Sequence, residues 1–176
     1  MSSIRPIKHS GYTSCNKVQF VRGGKDYFSL LTQLIDNSLH SIHLQFYIFT
    51  DDETGKSVIE SLKKAAARGV HVFLHLDGYA SQHLHEKTIY DILYSGIKLK
   101  WFEPLFKSKQ FYFGRRLHHK VVVVDGFHAL VGGLNICDRY NDLPGEPAWL
   151  DMAAYVQGET ATLLQKICMQ MWGERK

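Results

Sequence analysis

A histidine, a lysine and an asparagine that could meet one phosphate lie within residues 117–135. His118 and Lys120 fall in a β-branched run of strand length. Strand side chains alternate between faces, so the imidazole and the ammonium group project the same way, about 7 Å apart along the chain. Asn135 adds an amide group after the next predicted strand. A nucleophile, a cation and a hydrogen-bond donor together suit the binding and attack of a phosphodiester.

Two pairs of residues shape this segment. Asp125 and the glycine after it form the dipeptide that most favours a two-residue hairpin turn, so residues 127–131 are predicted to be the returning strand. That strand is followed by Gly132 and Gly133, whose missing Cβ atoms would let the backbone approach a ligand closely. We therefore expect both glycines to take part in phosphate binding.

The order of these residues resembles the HKD motif of the phospholipase D superfamily, written here as His118-x-Lys120-x4-Asp125-x6-Gly132-Gly133-x-Asn135. In that family the motif histidine is understood to be a nucleophile that forms a phosphohistidine, while the lysine and the asparagine hold phosphate oxygens. The resemblance implies these roles for His118, Lys120 and Asn135. It also places Asp125 among the catalytic residues, although fixing the hairpin turn would already give this aspartate a purpose.

Further blocks of sequence resemble the amino-terminal half of bacterial cardiolipin synthases, and they are distributed over nearly the whole of residues 16–172. They are residues 16–18, 42–49, 51–52, 66–72, 123–126, 132–135, 140 and 149–151. The resemblance implies a phosphatidyltransferase of phospholipid biosynthesis that acts on anionic phospholipid without a cofactor. We expect Gln45, Tyr47 and Asp151 to bind substrate. Gln45 stands where relatives often carry a glutamate, and Leu150 where they often carry an arginine.

The presence of a single motif limits the mechanism. One histidine cannot attack phosphorus and protonate the leaving alkoxide at the same time, and family members solve this with two facing HKD motifs. We therefore predict that the chain is one half of a longer enzyme or, as an alternative, a subunit completed by an identical partner. The second arrangement would suit a homodimeric phosphodiesterase, either a phospholipase D or a nuclease. An alternative of another class is a catalytically incomplete lipid-binding half-domain.

Composition and charge limit the number of domains and the location of the protein but do not identify its substrate. A chain of 176 residues with 45% hydrophobic and 22% charged residues is typical of a single globular domain. The net charge of +4 would attract anionic lipid or, as the less favoured partner, nucleic acid. No apolar run is long enough to span a bilayer, so we expect a peripheral protein on the cytoplasmic face of a membrane. Three cysteines without CxxC spacing argue against a disulfide framework and a zinc site: Cys15, Cys137 and Cys168.

Periodicity predicts an α/β fold with a mainly parallel sheet and helices on both faces. The resemblance implies that this is the mixed sheet of a phospholipase D-like fold, in a single HKD domain over residues 16–176. A mobile lead-in is expected over residues 1–15. The predicted strands are residues 17–21, 41–49, 70–76, 97–102, 117–124, 127–131 and 149–157, and the predicted helices are residues 25–38, 55–68, 87–94 and 160–172. Residues 103–116 mix aromatic and basic side chains, which suits a membrane interface, single-stranded nucleic acid or a loop folded onto the core.

Several residues have a simpler alternative role. Asp151 could orient an imidazole or pair with a nearby arginine. His119 points away from the motif histidine and is expected to be structural. His83 and His85 share a loop, but no further ligand sits at the spacing that a metal site needs, so no metal is expected.

Overall fold

The computed structural model describes residues 13–103 and 115–173 as a seven-stranded sheet with four helices. In chain order the elements are β1 (Asn16–Arg22), α1 (Lys25–Asp36), β2 (Ser41–Phe46), α2 (Glu53–Ala67), β3 (His71–Asp77), α3 (Glu86–Tyr94), β4 (Lys98–Phe102), β5 (Lys120–Val124), β6 (His128–Gly132), a short 3-10 turn (Asp138–Tyr140), β7 (Met152–Gly158) and α4 (Glu159–Trp172). Every predicted helix and strand is present, with ends that differ by a few residues.

The strand order across the sheet is β1-β7-β6-β5-β2-β3-β4. The pairs β2–β3 and β3–β4 are parallel, and the other four pairs of the described sheet are antiparallel. The prediction of a mixed sheet is confirmed, but the prediction that it is mainly parallel is wrong. A parallel neighbour requires a long crossover, and α2 and α3 supply one between β2, β3 and β4, whereas a tight turn joins β5 to β6.

The turn between β5 and β6 lies at the dipeptide that the sequence predicted, Asp125-Gly126. Asp125 and Gly126 have positive φ angles of 52° and 64°, and the N–H of Phe127 donates to the carbonyl of Val124 at 3.1 Å. The first paired residues are Val124 and His128, however, so three residues separate the strands instead of the predicted two. The hairpin is confirmed, with Phe127 as an additional residue at the turn.

Alternating side chains give the sheet two buried faces. On one face, even-numbered residues of β2, β3 and β5 join the main core with α1, α2 and α3, among them Ile42, Leu44, Leu74, Val122 and Val124. On the other face, a smaller cluster under α4 contains Val123, Ala129, Val156, Ala161 and Cys168. The prediction of helices on both faces is confirmed.

Two predicted segments are only partly described. Residues 1–12 of the expected mobile lead-in and residues 104–114 of the aromatic and basic segment lie outside the described residues. The end of the lead-in is tied to α4: Thr13 and Thr160 share a hydrogen bond of 2.7 Å between their hydroxyl groups, and the N–H of Ser14 donates to the Glu159 carboxylate at 3.3 Å. In residues 13–103 and 115–173, no helix combines the length and apolar character that crossing a membrane requires.

A buried histidine in β3 ties the stability of the fold to pH. His75 is 1% exposed, and neither ring nitrogen has a hydrogen-bond partner among the described residues. Its ring packs near those of Trp172 and Phe102, with centroids 5.7 and 5.9 Å away. Burial, with the positive charges of Lys100 and His119, lowers the pKa of His75 to about 4. The folded protein therefore holds this imidazole neutral.

This lowered pKa predicts that acid weakens the fold before the carboxylates titrate. Between the ordinary pKa of 6.5 and about 4, the unfolded chain binds a proton at His75 and the folded chain does not, so the free energy of unfolding falls as pH falls. The loss over that window reaches about 3 kcal/mol. Urea unfolding at several pH values would measure it. His75→Phe should remove most of this slope, and an unchanged slope in that variant would contradict the assignment.

Candidate active site

A cavity of about 310 Å³ lies at one end of the central strands of the sheet, where β5 begins and β6 ends. Its walls are formed by Tyr47, Ile48, His118, Lys120, Gly132, Gly133, Asn135 and Tyr140. The structure thus brings together most of the residues that the sequence predicted for the site, although their chemical roles stay predictions. Gln45, Asp125 and Asp151 do not line this cavity.

Lys120 and His118 contact each other inside the cavity. Lys120 Nζ lies 3.2 Å from Nδ1 and 3.4 Å from Nε2 of His118, and it also donates to the His118 carbonyl at 3.1 Å. The Tyr47 ring lies 4.8 Å from the imidazole and 5.3 Å from the ammonium group. The ammonium group is thus almost equally close to both ring nitrogens, so the contact brings the cation and the predicted nucleophile together without selecting one nitrogen.

The ammonium group of Lys120 is held in a nearly closed environment. The residue is 7% exposed, and burial lowers its pKa, although the negative charge of Asp151 acts in the opposite direction. A phosphate that entered the cavity would meet a cation with little competing water, where electrostatic attraction is stronger than at a surface.

The amide of Asn135 is oriented by two hydrogen bonds. Asn135 is 2% exposed, its Oδ1 accepts the N–H of Ile48 at 2.9 Å, and its Nδ2 donates to the Tyr140 hydroxyl at 3.1 Å. The segment after β2 and the short 3-10 turn therefore fix which side of the amide can donate to a ligand. Sequence reasoning did not predict Tyr140 as a site residue, although it stands in one of the matching blocks.

At Gly132 and Gly133, neighbouring parts of the chain leave no space for a Cβ atom. A Cβ atom at Gly132 would lie 2.6 Å from the carbonyl oxygen of Met152 and 2.8 Å from Cα of Ala153, and one at Gly133 would overlap the carboxylate of Asp151. Both glycines also line the cavity, so the expectation that they allow close approach of a ligand stays a prediction. They let β6 and the residues before β7 pack tightly, which places the Asp151 carboxylate behind the cavity wall.

Gln45 lies on the opposite face of the sheet from the cavity. β2 ends at Phe46, and the chain bends at Tyr47, so Tyr47 reaches the cavity while Gln45 points towards α4. There the Gln45 side-chain oxygen lies 3.0 Å from Nδ1 of His119. The expectation that Gln45 binds substrate beside the motif histidine is wrong, and the expectation that His119 faces away is confirmed.

A second cavity of about 280 Å³ separates Gln45 and His119 from α4. It is lined by Gln45, His119, Val121, Leu164, Ile167 and Cys168. Burial lowers the pKa of His119, with the positive charges of Lys120 and His118 acting in the same direction. This imidazole is therefore biased towards its neutral form.

Asp125 belongs to the turn at the far end of β5 from the cavity. Its carboxylate accepts the N–H groups of Leu39, His40 and Ser41 at 2.9, 2.7 and 2.8 Å. Burial alone would raise the pKa of this carboxyl, but these hydrogen bonds lower it overall. Asp125 therefore makes no contact with the cavity where a catalytic role was expected, and its carboxylate holds the segment that leads into β2.

The loop histidines and Asp151 do not form the contacts considered for them. His85 Nδ1 lies 2.7 Å from the Asp51 carboxylate, and no group of three or more potential metal ligands occurs in residues 13–103 and 115–173. Asp151 accepts the N–H of Met152 at 2.7 Å, and within the same ranges it makes no ion pair with an arginine.

Comparison with known proteins identifies the family that the sequence motif resembles. The chain matches the family model described as "Cardiolipin synthase, PLD-like domain" over residues 31–172. It is 36% identical to a cardiolipin synthase from Halalkalibacterium halodurans over 153 residues, which are 85% of this chain and 30% of the relative. It is also 32% identical to cardiolipin synthase B from Escherichia coli K12, over 81% of this chain and 35% of that one. The chain therefore spans about a third of the length of these relatives.

A solved structure shares the fold at lower sequence identity. Nuc from Salmonella typhimurium, a phospholipase D family member, superimposes with a TM-score of 0.67 and 21% identity, covering 92% of this chain and 97% of Nuc. At this level of identity the likeness shows the fold alone.

The packing of Gly133 against Asp151 predicts a stability change. Gly133→Ala should lower the free energy of unfolding by about 1 kcal/mol, because the new methyl group forces the Asp151 carboxylate to turn away and lose its hydrogen bond from Met152. Urea denaturation would measure the loss. Asp151→Ala removes the overlapping atoms, so in that background Gly133→Ala should cause little further loss. A Gly133→Ala variant as stable as the wild type would show that Asp151 is not the reason for glycine at this position.

Proposed function

Because the chain belongs to the family of cardiolipin synthase PLD-like domains, we propose that it carries one half of a phosphatidyltransferase site in which His118 forms a phosphohistidine with an anionic phospholipid. The observation that carries this proposal is the cavity where Lys120 and Asn135 lie beside His118. A phosphate placed there would meet a nucleophile, a buried cation and an oriented amide donor. The scheme requires neither a cofactor nor a metal ion.

The proposed reaction has two displacements at phosphorus. In the first, a ring nitrogen of His118 bonds to phosphorus while the bond to the departing alcohol oxygen breaks, and a general acid protonates that oxygen. Lys120 and Asn135 offset the negative charge on the remaining phosphate oxygens. In the second, an acceptor lipid hydroxyl gives its proton to the conjugate base of that general acid and attacks phosphorus, which breaks the bond to His118 and yields a cardiolipin-like product.

The general acid has to come from a second HKD half. Among the described residues that line the cavity, His118 is the one imidazole, and it cannot attack phosphorus and donate the proton in the same step. Two facing histidines would titrate as a coupled pair, so that one is neutral while the other is protonated. The second half would stand elsewhere in the same parent chain or on an identical subunit.

Of these two arrangements, half of a longer enzyme has the stronger support. The cardiolipin synthase from H. halodurans is matched over 30% of its length, which leaves room for a second half in that protein. The second candidate function is a homodimeric phosphodiesterase, either a phospholipase D or a nuclease. Its support is chain length: this chain covers 97% of Nuc, a phospholipase D family member of similar size. An identical pair would meet through an isologous interface.

A membrane surface rich in anionic lipid, on the cytoplasmic face, is the proposed place of action. At Tyr140, which lines the cavity, the guanidinium group of Arg139 lies 5.5 Å from the tyrosine ring and 5.1 Å from the ring of Trp149. Trp149 and Leu150 are exposed beside this pair. Exposed rings and aliphatic groups next to a cation suit the headgroup region of a bilayer, where the cation meets lipid phosphate.

The phosphohistidine can be trapped on the protein assembled with its second half. After incubation with phosphatidylglycerol vesicles and quenching in alkali, mass spectrometry should find an acid-labile phosphatidyl adduct on His118. His118→Ala should abolish this adduct. His119→Ala is the matched control and should keep it, because the adjacent imidazole faces the other side of the strand.

The same samples separate the competing functions. Cleavage of DNA with phosphatidylglycerol left unchanged would contradict the transferase and favour the nuclease. Vesicle binding without any adduct on the assembled protein would indicate a lipid-binding half-domain. An adduct that persists in His118→Ala would overturn the assignment of the nucleophile.

A further inference from the structure

A buried carboxylate at the end of β3 takes no part in the proposed reaction, yet it contacts the residue before the nucleophile. Asp77 is 0% exposed. Its Oδ1 accepts the N–H groups of Tyr79 and Ala80, both at 3.0 Å, and its Oδ2 accepts the N–H of Leu117 at 2.8 Å. One side chain therefore joins the chain that leaves β3 to the chain that enters β5.

The nucleophile itself lies outside the hydrogen-bonded ladder of the sheet. The first pair between β5 and β2 is Lys120 with Phe46, so residues 117–119 precede the paired part of the strand. The N–H of His118 donates to the carbonyl of Arg116 at 3.1 Å, a contact within the same segment. Sheet pairing therefore does not hold the backbone at His118, and the hydrogen bond from Leu117 to Asp77 is a direct tie between this segment and the sheet.

We infer that Asp77 is a positioning residue for His118, an inference that rests on the proposed function. With the backbone of Leu117 held, the His118 ring stays 3.2 Å from Lys120 Nζ and beside Tyr47. The side chain of Leu117 is 1% exposed and anchors the segment from its other side. An ionised carboxylate suits this task, because both oxygens accept and hydrogen bonds to a charged acceptor are the stronger kind.

An isosteric substitution can break the hydrogen bond to Leu117 and keep those to Tyr79 and Ala80. In Asp77→Asn the amide oxygen can still accept from Tyr79 and Ala80, but the amide nitrogen would face the N–H of Leu117, and two donors cannot bond. Asp125→Asn is the matched control. That carboxylate also accepts three backbone N–H groups and also flanks β5, but at the end far from the cavity.

The first readout follows the nucleophile without using turnover. Two-dimensional NMR of the histidine rings should show displaced His118 resonances and a displaced His118 titration midpoint in Asp77→Asn. Both should match the wild type in Asp125→Asn. If Asp77→Asn folds and leaves the resonances and the midpoint of His118 unchanged, the positioning role is overturned.

The second readout is catalysis by the assembled protein on phosphatidylglycerol vesicles. Asp77→Asn should lower kcat about 10- to 100-fold, the size expected for a nucleophile displaced by less than about 1 Å, and should move the pH–rate profile. KM should change by less than about twofold, because substrate binding to Lys120 and Asn135 is retained. An Asp77→Asn variant with the wild-type kcat and pH–rate profile overturns the positioning role.

A backbone substitution covers the case in which Asp77→Asn does not fold. Replacing Leu117 with its α-hydroxy acid analogue removes the one N–H group and leaves the other two hydrogen bonds of Asp77 in place. It should displace the His118 resonances in the same way, and unchanged resonances overturn the inference. A wild-type protein that turns over no phospholipid, with His118 still displaced in these variants, would refute the proposed function and leave the positioning role standing.

Discussion

The alternation of side chains at the start of β5 is the constraint on which the site depends. It sends His118 and Lys120 into one cavity and His119 to the other face, where it meets Gln45. Helices cover both faces, so a shift of the register by one residue would bury the wrong set on each side. The packing that fixes Lys120 in the sheet therefore also decides which face the preceding His118 can reach.

The sequence predicted the features that depend on local patterns. It did not predict those that depend on contacts between distant parts of the chain. The strands, the helices and the hairpin at Asp125 follow from periodicity and turn chemistry, and the structure confirms them. The separation of Gln45 from Tyr47 depends on the bend after Phe46, which a family block does not reveal. The reason for Gly133 lies in Asp151, far along the chain, and only the pairing of β6 with β7 brings the two together. The antiparallel pairs β1–β7, β2–β5 and β6–β7 were not predicted for the same reason.

The chemistry of the cavity is that of an unfinished site. It holds a buried cation and an oriented amide beside His118, the proposed nucleophile, and a phosphodiester exchange also requires an acid for the leaving oxygen. Lowering the pKa of Lys120 by burial does not make it that acid in this scheme, because its charge is needed at the phosphate oxygens. A second copy of the same strand would supply the missing imidazole and a second cation at once. The proposed need for two HKD halves therefore follows from the need for a second group that can donate a proton.

Turnover per chain, measured together with the mass in solution, tests this requirement most directly. A chromogenic phosphodiester would be followed from nanomolar to micromolar protein, alone and with the remaining half of the parent chain added, while light scattering reports the assembled fraction. The account predicts turnover in proportion to paired HKD halves and none from a single half. Turnover per chain that stays constant while the protein is entirely monomeric and unpaired would contradict it.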